Sequence, residues 1–506
     1  MPDIVLCTHN ARWIHAAFGL RCLRSNLGAL REQSVLHEFT LETRAADAAE
    51  RILAERPRIV GIGVYVWNAQ VSRELVAVLK RVAPAVAVVV GGPEVSHECE
   101  QQEICALADH VVRGEGDLAF AALAARLLAG DRSAPHLIDA PPPHFDELAS
   151  PYAEYTDTDI AQRVVYVEAS RGCPFTCEFC LSALDVPVRQ APLPAFLADL
   201  ERLFARGVRH FKFVDRTFNL NLAAARAILA FFRSRLCSGL FVHFEMIPDR
   251  FPAALRDEVA AFPPGVLQFE VGIQTFDDEV SARIARRQDV ARLEDNLRWL
   301  RDATGVHVHA DLIVGLPGET MAGFGGGFDR LVALRPHEIQ VGILKRLRGA
   351  PIVRHDVEFE VVWSDVAPYE VLATRALAFD ELQRLKRFAR YWDLCANSGR
   401  WPTTLPLLLG DAPFARFLAF ADWLFATATT THGIQKHRLA RALFDWLTSH
   451  GGLAADVAGA ALAADYARGD RHDWPEFLRP WAVGTAAPRA PSPWQHRAAS
   501  RQARHS

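Results

Sequence analysis

Short apolar runs that end at glycine or at polar residues alternate with amphipathic stretches along most of the chain. In residues 1–130, Ile4–Cys7, Ile59–Val66, Val86–Val90 and Val111–Arg113 read as strands, and Ser72–Val82 and Leu118–Leu128 as helices. Strands that are apolar throughout are covered on both faces, so this alternation predicts a parallel, doubly wound sheet. Sheets of this kind take ligands at loops beyond the carboxyl ends of their strands.

Residues 131–162 interrupt the pattern, with Pro135, Pro141, Pro142 and Pro143 amid polar residues, and read as a linker. The alternation resumes over 163–352. Strands are expected at Val164–Glu168, His210–Val214, Val242–Met246, Leu267–Gly272, His307–Val314 and Glu338–Ile343. Helices such as Pro194–Phe204, Ala223–Arg235 and Arg292–Ala303 separate them. Six such units suit a partial (β/α)6 TIM-like barrel rather than a full eight-unit one. Residues 353–483 read as an α-helical carboxyl-terminal domain, clearest at Tyr369–Tyr391 and Lys436–Trp446. Residues 484–506, rich in Ala, Pro, Arg, Ser and His, read as a disordered tail. The expected fold class is therefore α/β, with a Rossmann-like sheet, a partial barrel and a helical end.

Composition adds exclusions. The 506 residues are 50% hydrophobic and carry a net charge of -4, which implies no general polyanion-binding surface and no nucleic-acid partner. No apolar run approaches the roughly 20 residues that span a bilayer. The first residues run straight into a strand without the features of a signal peptide, so a cytoplasmic protein with no membrane association is expected. Nine cysteines without regular spacing make no disulfide framework. Cys7, Cys22, Cys99, Cys105, Cys237 and Cys395 are scattered and read as small buried side chains.

The other three cysteines are clustered. Glu168-Ala169-Ser170-Arg171-Gly172-Cys173-Pro174-Phe175-Thr176-Cys177-Glu178-Phe179-Cys180 directly follows the first strand of the barrel. Thiolates are the usual ligands of iron–sulfur clusters. Three on one loop can hold three irons of a cubane and leave the fourth open to the amino and carboxylate groups of S-adenosyl-L-methionine (SAM). A zinc site would want a fourth Cys or His in a second pair, which does not follow, and a redox dithiol needs only Cys177 and Cys180. Residues at the carboxyl ends of barrel strands carry reaction chemistry, which nominates Asp215, Arg216, Glu245, Glu270 and Gln274 as contacts to SAM or substrate. Alternation also puts His307, His309 and Asp311 on one face, as a polar barrel lining or a second metal site. Lys345, Arg346 and Arg348 follow the sixth strand, where they could meet an anionic substrate or form a solvated turn.

The segment resembles the radical SAM superfamily, and the resemblance extends over residues 163–352 through Phe211–Asn219, Phe269–Phe276 and Asp311–Thr320. It implies a [4Fe–4S] cluster on Cys173, Cys177 and Cys180. It also implies a SAM site with Phe179 and the strand-to-Gly motif containing Gly315 and Pro317 near the adenine, and a flavodoxin- or ferredoxin-type electron donor. The amino-terminal domain resembles the cobalamin-binding domain that precedes many such barrels. The matching stretches are His9–His15, Gly61–Asn68, Gly91–Val95 and Arg113–Asp117, all where strands end. They make His15, Trp67, Gly91, Gly92, Glu94, Gly114 and Glu115 candidate cofactor contacts. The Asp-x-His-x-x-Gly signature that supplies a cobalt-ligating histidine elsewhere is absent. The helical region, including Arg390–Arg400, resembles a domain of unknown function found after such barrels.

Together the resemblances imply cleavage of SAM to a 5′-deoxyadenosyl radical and cobalamin-dependent methyl transfer to an unactivated carbon or phosphorus of a small-molecule or peptide substrate. Alternatives are a cobalamin-assisted rearrangement or cyclisation, a tRNA methylthiotransferase, and a non-catalytic cobalamin or SAM sensor.

Overall fold

The computed structural model describes residues 1–185, 187–468 and 474–482, so the expected tail lies outside the described residues. The chain divides into two compact units. One comprises Met1–Arg216, Lys345–Arg354 and Trp363–Glu370, the other Thr217–Leu344, His355–Val362 and Val371–Ser506.

The first unit is built on a parallel sheet of β1 (Ile4–Asn10), β2 (Ser34–Thr40), β3 (Ile59–Gly63), β4 (Ala87–Gly91), β5 (His110–Gly114) and β6 (Leu137–Ala140). Their order is β2-β1-β3-β4-β5-β6, with every pairing parallel. Helices α1 (Phe18–Ser25), α2 (Ala45–Ala54), α3 (Ala69–Val82), α4 (Glu103–Leu107) and α5 (Gly116–Leu128) cover it. Val5, Cys7, Val60, Ile62, Val88 and Val90 pack against Ile52 of α2 and Leu75 and Leu79 of α3. Ile4, Leu6, Ile59, Val89 and Val112 pack on the other face against Leu20 of α1 and Phe120 and Leu123 of α5. Burial on both faces is why the strands read as continuous apolar runs.

Two strands depart from the sequence reading. β2 is an edge strand whose mixed sequence, Ser34-Val35-Leu36-His37-Glu38-Phe39-Thr40, is mostly half-buried, so it carries no clean pattern. β6 lies inside the proline-rich stretch read as a linker and extends the sheet beside β5. The same stretch holds α6 (Asp157–Gln162), opened by a capping box in which Thr156 Oγ1 accepts from Asp159 N at 3.1 Å and Asp159 accepts from Thr156 N at 2.9 Å.

The unit continues with β7 (Val165–Val167), β8 (Ser170–Arg171), β9 (Arg189–Gln190), α7 (Leu193–Ala205) and β10 (His210–Phe213). β7 and β10 pair in parallel, while β8 and β9 pair antiparallel and close the base of the cysteine loop.

In the second unit β11 (Phe241–Met246), β12 (Leu267–Gln274), β13 (His307–Val314) and β14 (Glu338–Ile343) form consecutive parallel pairs. Helices α8 (Leu222–Arg233), α9 (Ala253–Ala260), α10 (Asp278–Arg283), α11 (Val290–Ala303) and α12 (Met321–Ala333) connect and follow them. Phe244, Phe269, Val308 and Leu312 occupy one face, and His243, Glu245, Gln268, Glu270, His309 and Asp311 alternate onto the other. The fold is α/β, with parallel strands and covering helices in each unit.

The carboxyl-terminal region is helical, with α13 (Phe379–Cys395), α14 (Thr404–Leu409), α15 (Pro413–Ala428), α16 (Lys436–Ser449) and α17 (Ala455–Ala467). The helix expected from Tyr369 starts only at Phe379. Val371–Ala373 is a short strand, and Glu381 accepts from Ala378 N at 2.9 Å to cap the true start. Phe388 and Trp392 of α13 pack edge-on against Phe328 of α12 and Phe417 of α15. Among the described residues no helix is long and apolar enough to cross a membrane.

Candidate cofactor site

In the first unit the strand order reverses beside β1, between β2 and β3, so successive connections leave the sheet on opposite sides and open a crevice at the strand ends. The crevice holds a cavity of about 410 Å³, within the range of small-molecule and cofactor sites. Gly61–Gly63 of β3, Val89–Gly92 at the end of β4 and Gly114–Asp117 after β5 form part of its lining, as do Gly19, Leu20 and Cys22 of α1. Glu168, Ser170, Arg171, Gly172, Ser182 and Asp185 line it from the cysteine loop, with Arg216 from beyond β10.

Glycine is required where the backbone turns into this cavity. Gly92 has φ 107°, and a Cβ there would lie 2.6 Å from the Val64 carbonyl oxygen. Gly114 has φ 85°, and its Cβ would lie 2.5 Å from the Ala140 carbonyl oxygen. Both positions combine a left-handed backbone with a blocked Cβ, and they leave main chain at the cavity surface for a bulky ligand to approach. None of the described lining residues is a histidine, in keeping with the missing signature, so the cavity offers cobalt no imidazole.

Of the residues nominated here from sequence, Gly91, Gly92, Gly114 and Glu115 line the cavity. Trp67 does not; it stacks on Tyr65, with ring centroids 4.4 Å apart, and Tyr65 is the cavity residue. His15 also lies outside the lining, with Nδ1 2.7 Å from the Tyr166 hydroxyl. Glu94 is buried and engaged by Arg348 at 3.0 Å and the Tyr369 hydroxyl at 2.7 Å. Arg346 and Arg348 both pair with Glu98, which favours a structural role for these two over an anionic-substrate site. Sequence reasoning missed Tyr65 and α1. Tyr65 stood within a quoted motif but was not chosen, and α1 carries no motif.

The cysteine loop is held in place by backbone and carboxylate contacts. Cys173 N donates to the Asp185 carbonyl oxygen at 3.0 Å, and Cys180 N to that of Cys177 at 3.1 Å. Gly172 has φ 90°, and a Cβ there would meet the Asp185 oxygen at 2.6 Å. Phe179 is half-buried on this loop. None of the three thiols is in a disulfide. Among the described residues no three Cys, His, Asp or Glu side chains converge on a single ion, whereas cluster thiolates each bind a different iron. Asp215 lies behind the loop, where it accepts from Ala169 N at 3.0 Å and Ser170 Oγ at 2.5 Å. Burial pushes its carboxyl up to about 6. Its observed contacts brace the loop, whereas Arg216 faces the cavity and donates through Nε to Ser182 Oγ at 3.1 Å.

In the second unit the polar face of the strands is paired. His243 Nε2 lies 2.9 Å from Glu270, His307 Nε2 3.0 Å from Glu338, and His309 Nε2 3.3 Å from Asp311. Burial alone would lower the His309 imidazole, but Asp311, aided by Glu270 and Glu338, raises it to about 9. A charged, paired histidine fits a polar lining better than a metal ligand. Glu245 is half-buried, and its carbonyl oxygen accepts from Phe218 N at 3.2 Å. Gln274 has φ 74° beside a register shift in β12. Gly315 has φ 88° and would place a Cβ 2.6 Å from the Val371 side chain. The Pro317 carbonyl accepts from Arg283 Nη1 at 2.7 Å.

Glu319, in the same motif, is buried and accepts from Thr275 Oγ1 at 2.6 Å. Burial pushes its carboxyl up from the model-compound range to about 8. The folded chain therefore holds a proton that the unfolded chain releases above about pH 4.5, and stability falls as pH rises from there to about 8. Glu319→Gln keeps the hydrogen bond without the charge. Its melting temperature is expected to match wild type near pH 5 and exceed it at pH 8.5, by several degrees in a thermal scan.

Three sequence families match along the chain. The Radical SAM superfamily covers residues 167–326, a B12 binding domain residues 6–124, and a protein family of unknown function (DUF4080) residues 357–485. The chain thus combines a B12 binding domain, a Radical SAM domain and this carboxyl-terminal domain of unknown function. The [4Fe–4S] cluster, SAM and cobalamin are the cofactors of these domains. An uncharacterized methyltransferase of Pyrococcus horikoshii is 28% identical over 229 residues, 40% of this chain and 49% of its own. The cobalamin-dependent radical SAM methyltransferase TokK of Streptomyces tokunonensis is 25% identical over 331 residues, 58% of this chain and 48% of its own. The chain thus spans about half the length of the curated relatives it matches. The structure of the cobalamin-dependent SAM radical enzyme OxsB with aqua-cobalamin bound superimposes with a TM-score of 0.62 at 12% identity, over 95% of this chain and 84% of that one. That likeness is one of fold.

Proposed function

We propose that the chain is a cobalamin-dependent radical SAM methyltransferase acting on an unactivated carbon or phosphorus of a small-molecule or peptide substrate. The observation that carries this reading is the shared cavity, in which the cysteine loop and the glycine strand ends of the amino-terminal sheet line one space. When bound, the cluster supplies the electron that breaks the sulfonium C–S bond of SAM, and cobalamin supplies a methyl carrier.

The chain's own residues bind and orient. Cys173, Cys177 and Cys180 would hold the cluster. Gly91, Gly92, Gly114 and Glu115 contact cobalamin, with Tyr65 facing the same space. Phe179, on the same loop, would contact SAM. Arg216 would meet SAM or substrate, and Asp215 acts on the site through the Ala169–Ser170 segment it braces. The apolar walls from Leu20 and Phe120 exclude water from the cavity. A flavodoxin- or ferredoxin-type protein supplies electrons. Cys7, Cys99 and Cys105 are buried in a hydrophobic core of the first unit, which speaks against the second cluster of a methylthiotransferase.

The test is anaerobic reconstitution with iron, sulfide and cobalamin, followed by SAM and a low-potential reductant. Mass spectrometry should find cluster-dependent 5′-deoxyadenosine and cobalamin-dependent S-adenosylhomocysteine. Deoxyadenosine with no methylated product from the true substrate would replace methyl transfer by rearrangement or cyclisation.

A further inference from the structure

The register of β8 and β9 sets Arg171 directly opposite Arg189 at the base of the cysteine loop. Like charges facing each other across strands repel. Here both side chains are largely withdrawn from water, at 12% and 15% exposure, so solvent screens them poorly. Carboxylates from two places neutralise them. Glu168 and Asp185 flank or belong to the loop itself, at 2.9 Å from Arg171 Nε and 2.9 Å from Arg189 Nη2. Glu115 lies between β5 and α5, and Asp117 in the first turn of α5. Asp117 takes both terminal nitrogens of Arg171, at 3.0 and 3.2 Å. Glu115 bridges the two arginines, 2.6 Å from Arg171 Nη1 and ion-paired with Arg189 as well.

We propose that Glu115 and Asp117 are positioning residues for the iron–sulfur cluster: a carboxylate clasp that holds shut the loop carrying Cys173, Cys177 and Cys180. The inference rests on the cluster reading proposed above. Arg189 grips the Asp185 side chain, and the Asp185 carbonyl accepts from the amide of Cys173, the first ligand. Releasing Arg189 from Glu115 therefore removes the tie that anchors Arg189, and through it Asp185, to the start of α5. The turn that supplies the clasp also lines the cofactor cavity, so one short segment serves both.

Hydrogen exchange read by mass spectrometry on the full chain, before and after reconstitution with iron and sulfide, tests the clasp. In Glu115→Gln, peptides spanning residues 172–185 are expected to exchange roughly tenfold faster than in wild type, the loss of about one charge-assisted hydrogen bond. Glu115→Asp, which keeps the charge, should recover most of the protection. The reduced cluster of Glu115→Gln should also show a shifted or broadened electron paramagnetic resonance signal at wild-type iron content. Unchanged exchange in Glu115→Gln overturns the clasp. A wild-type chain that assembles no cluster overturns the cluster reading instead, and the exchange comparison on the unreconstituted chain still decides whether Glu115 holds the loop. Should Glu115→Gln fail to fold, Arg189→Gln removes the other side of the clasp and is read the same way.

Discussion

Replacing Cys173, Cys177 and Cys180 together by alanine should eliminate cluster assembly and take SAM cleavage to background, a loss of roughly 10³-fold or more, as when a group that carries the chemistry is removed. The fold should survive. The loop is anchored by main-chain contacts, Cys173 N to the Asp185 oxygen and Cys180 N to the Cys177 oxygen, which alanine retains. Asp215 still braces Ala169 and Ser170 from behind. Cys177 is the most enclosed of the three thiols, with Cys173 and Cys180 only half-buried, so the packing lost is small. The measurement is iron and sulfide content with deoxyadenosine yield, alongside a thermal scan. A triple variant that still cleaves SAM would sink the assignment of these thiols, and a variant that unfolds would show them to be structural.

The largest stability effect is expected at Arg21, outside the cysteine loop. This side chain is 2% exposed and pairs with Glu38 at 2.9 Å and Asp159 at 2.8 Å. Arg163 shares both carboxylates, at 2.7 and 3.0 Å. Burial works against the Arg21 charge, but Glu38 and Asp159 raise its pKa further above the ordinary range, so it stays charged at any working pH. Arg21→Met keeps the length and removes the charge, leaving two buried carboxylates to share Arg163. Breaking a buried ion pair from one side costs about 3–5 kcal/mol. The exposed pair Arg44–Asp47, 80% and 45% accessible, provides the contrast, and Arg44→Met should change little. Urea titration of both variants checks this. Because Arg21 sits on α1, whose Gly19, Leu20 and Cys22 line the cavity, Arg21→Met should also weaken cobalamin retention.

Much of this architecture was legible in the residue pattern because it depends on near neighbours in the chain. Strands covered on both faces must be apolar throughout, so β1, β3, β4 and β5 could be read from composition. The barrel strands alternate polar and apolar faces, which placed His309 and Asp311 together before any contact was known. Three cysteines within one short loop, directly after a strand, are the sequence feature on which the cluster proposal rests.

Other features arise only from distant contacts. β2 has one sheet neighbour and half-buried residues, so its sequence is not constrained to an apolar run. β6 is recruited from a proline-rich stretch because β5 offers a free edge. Glu94 sat in a motif beside Gly92, yet its carboxylate meets Arg348, 254 residues away. Asp215 stood at a strand end like a reacting group, yet it turns back to brace the cysteine loop. Glu115 joins Arg189 across 74 residues. Local periodicity reports which face of an element is buried. Which charge meets which is decided when the elements pack, because a buried charge must find its partner wherever the fold brings one.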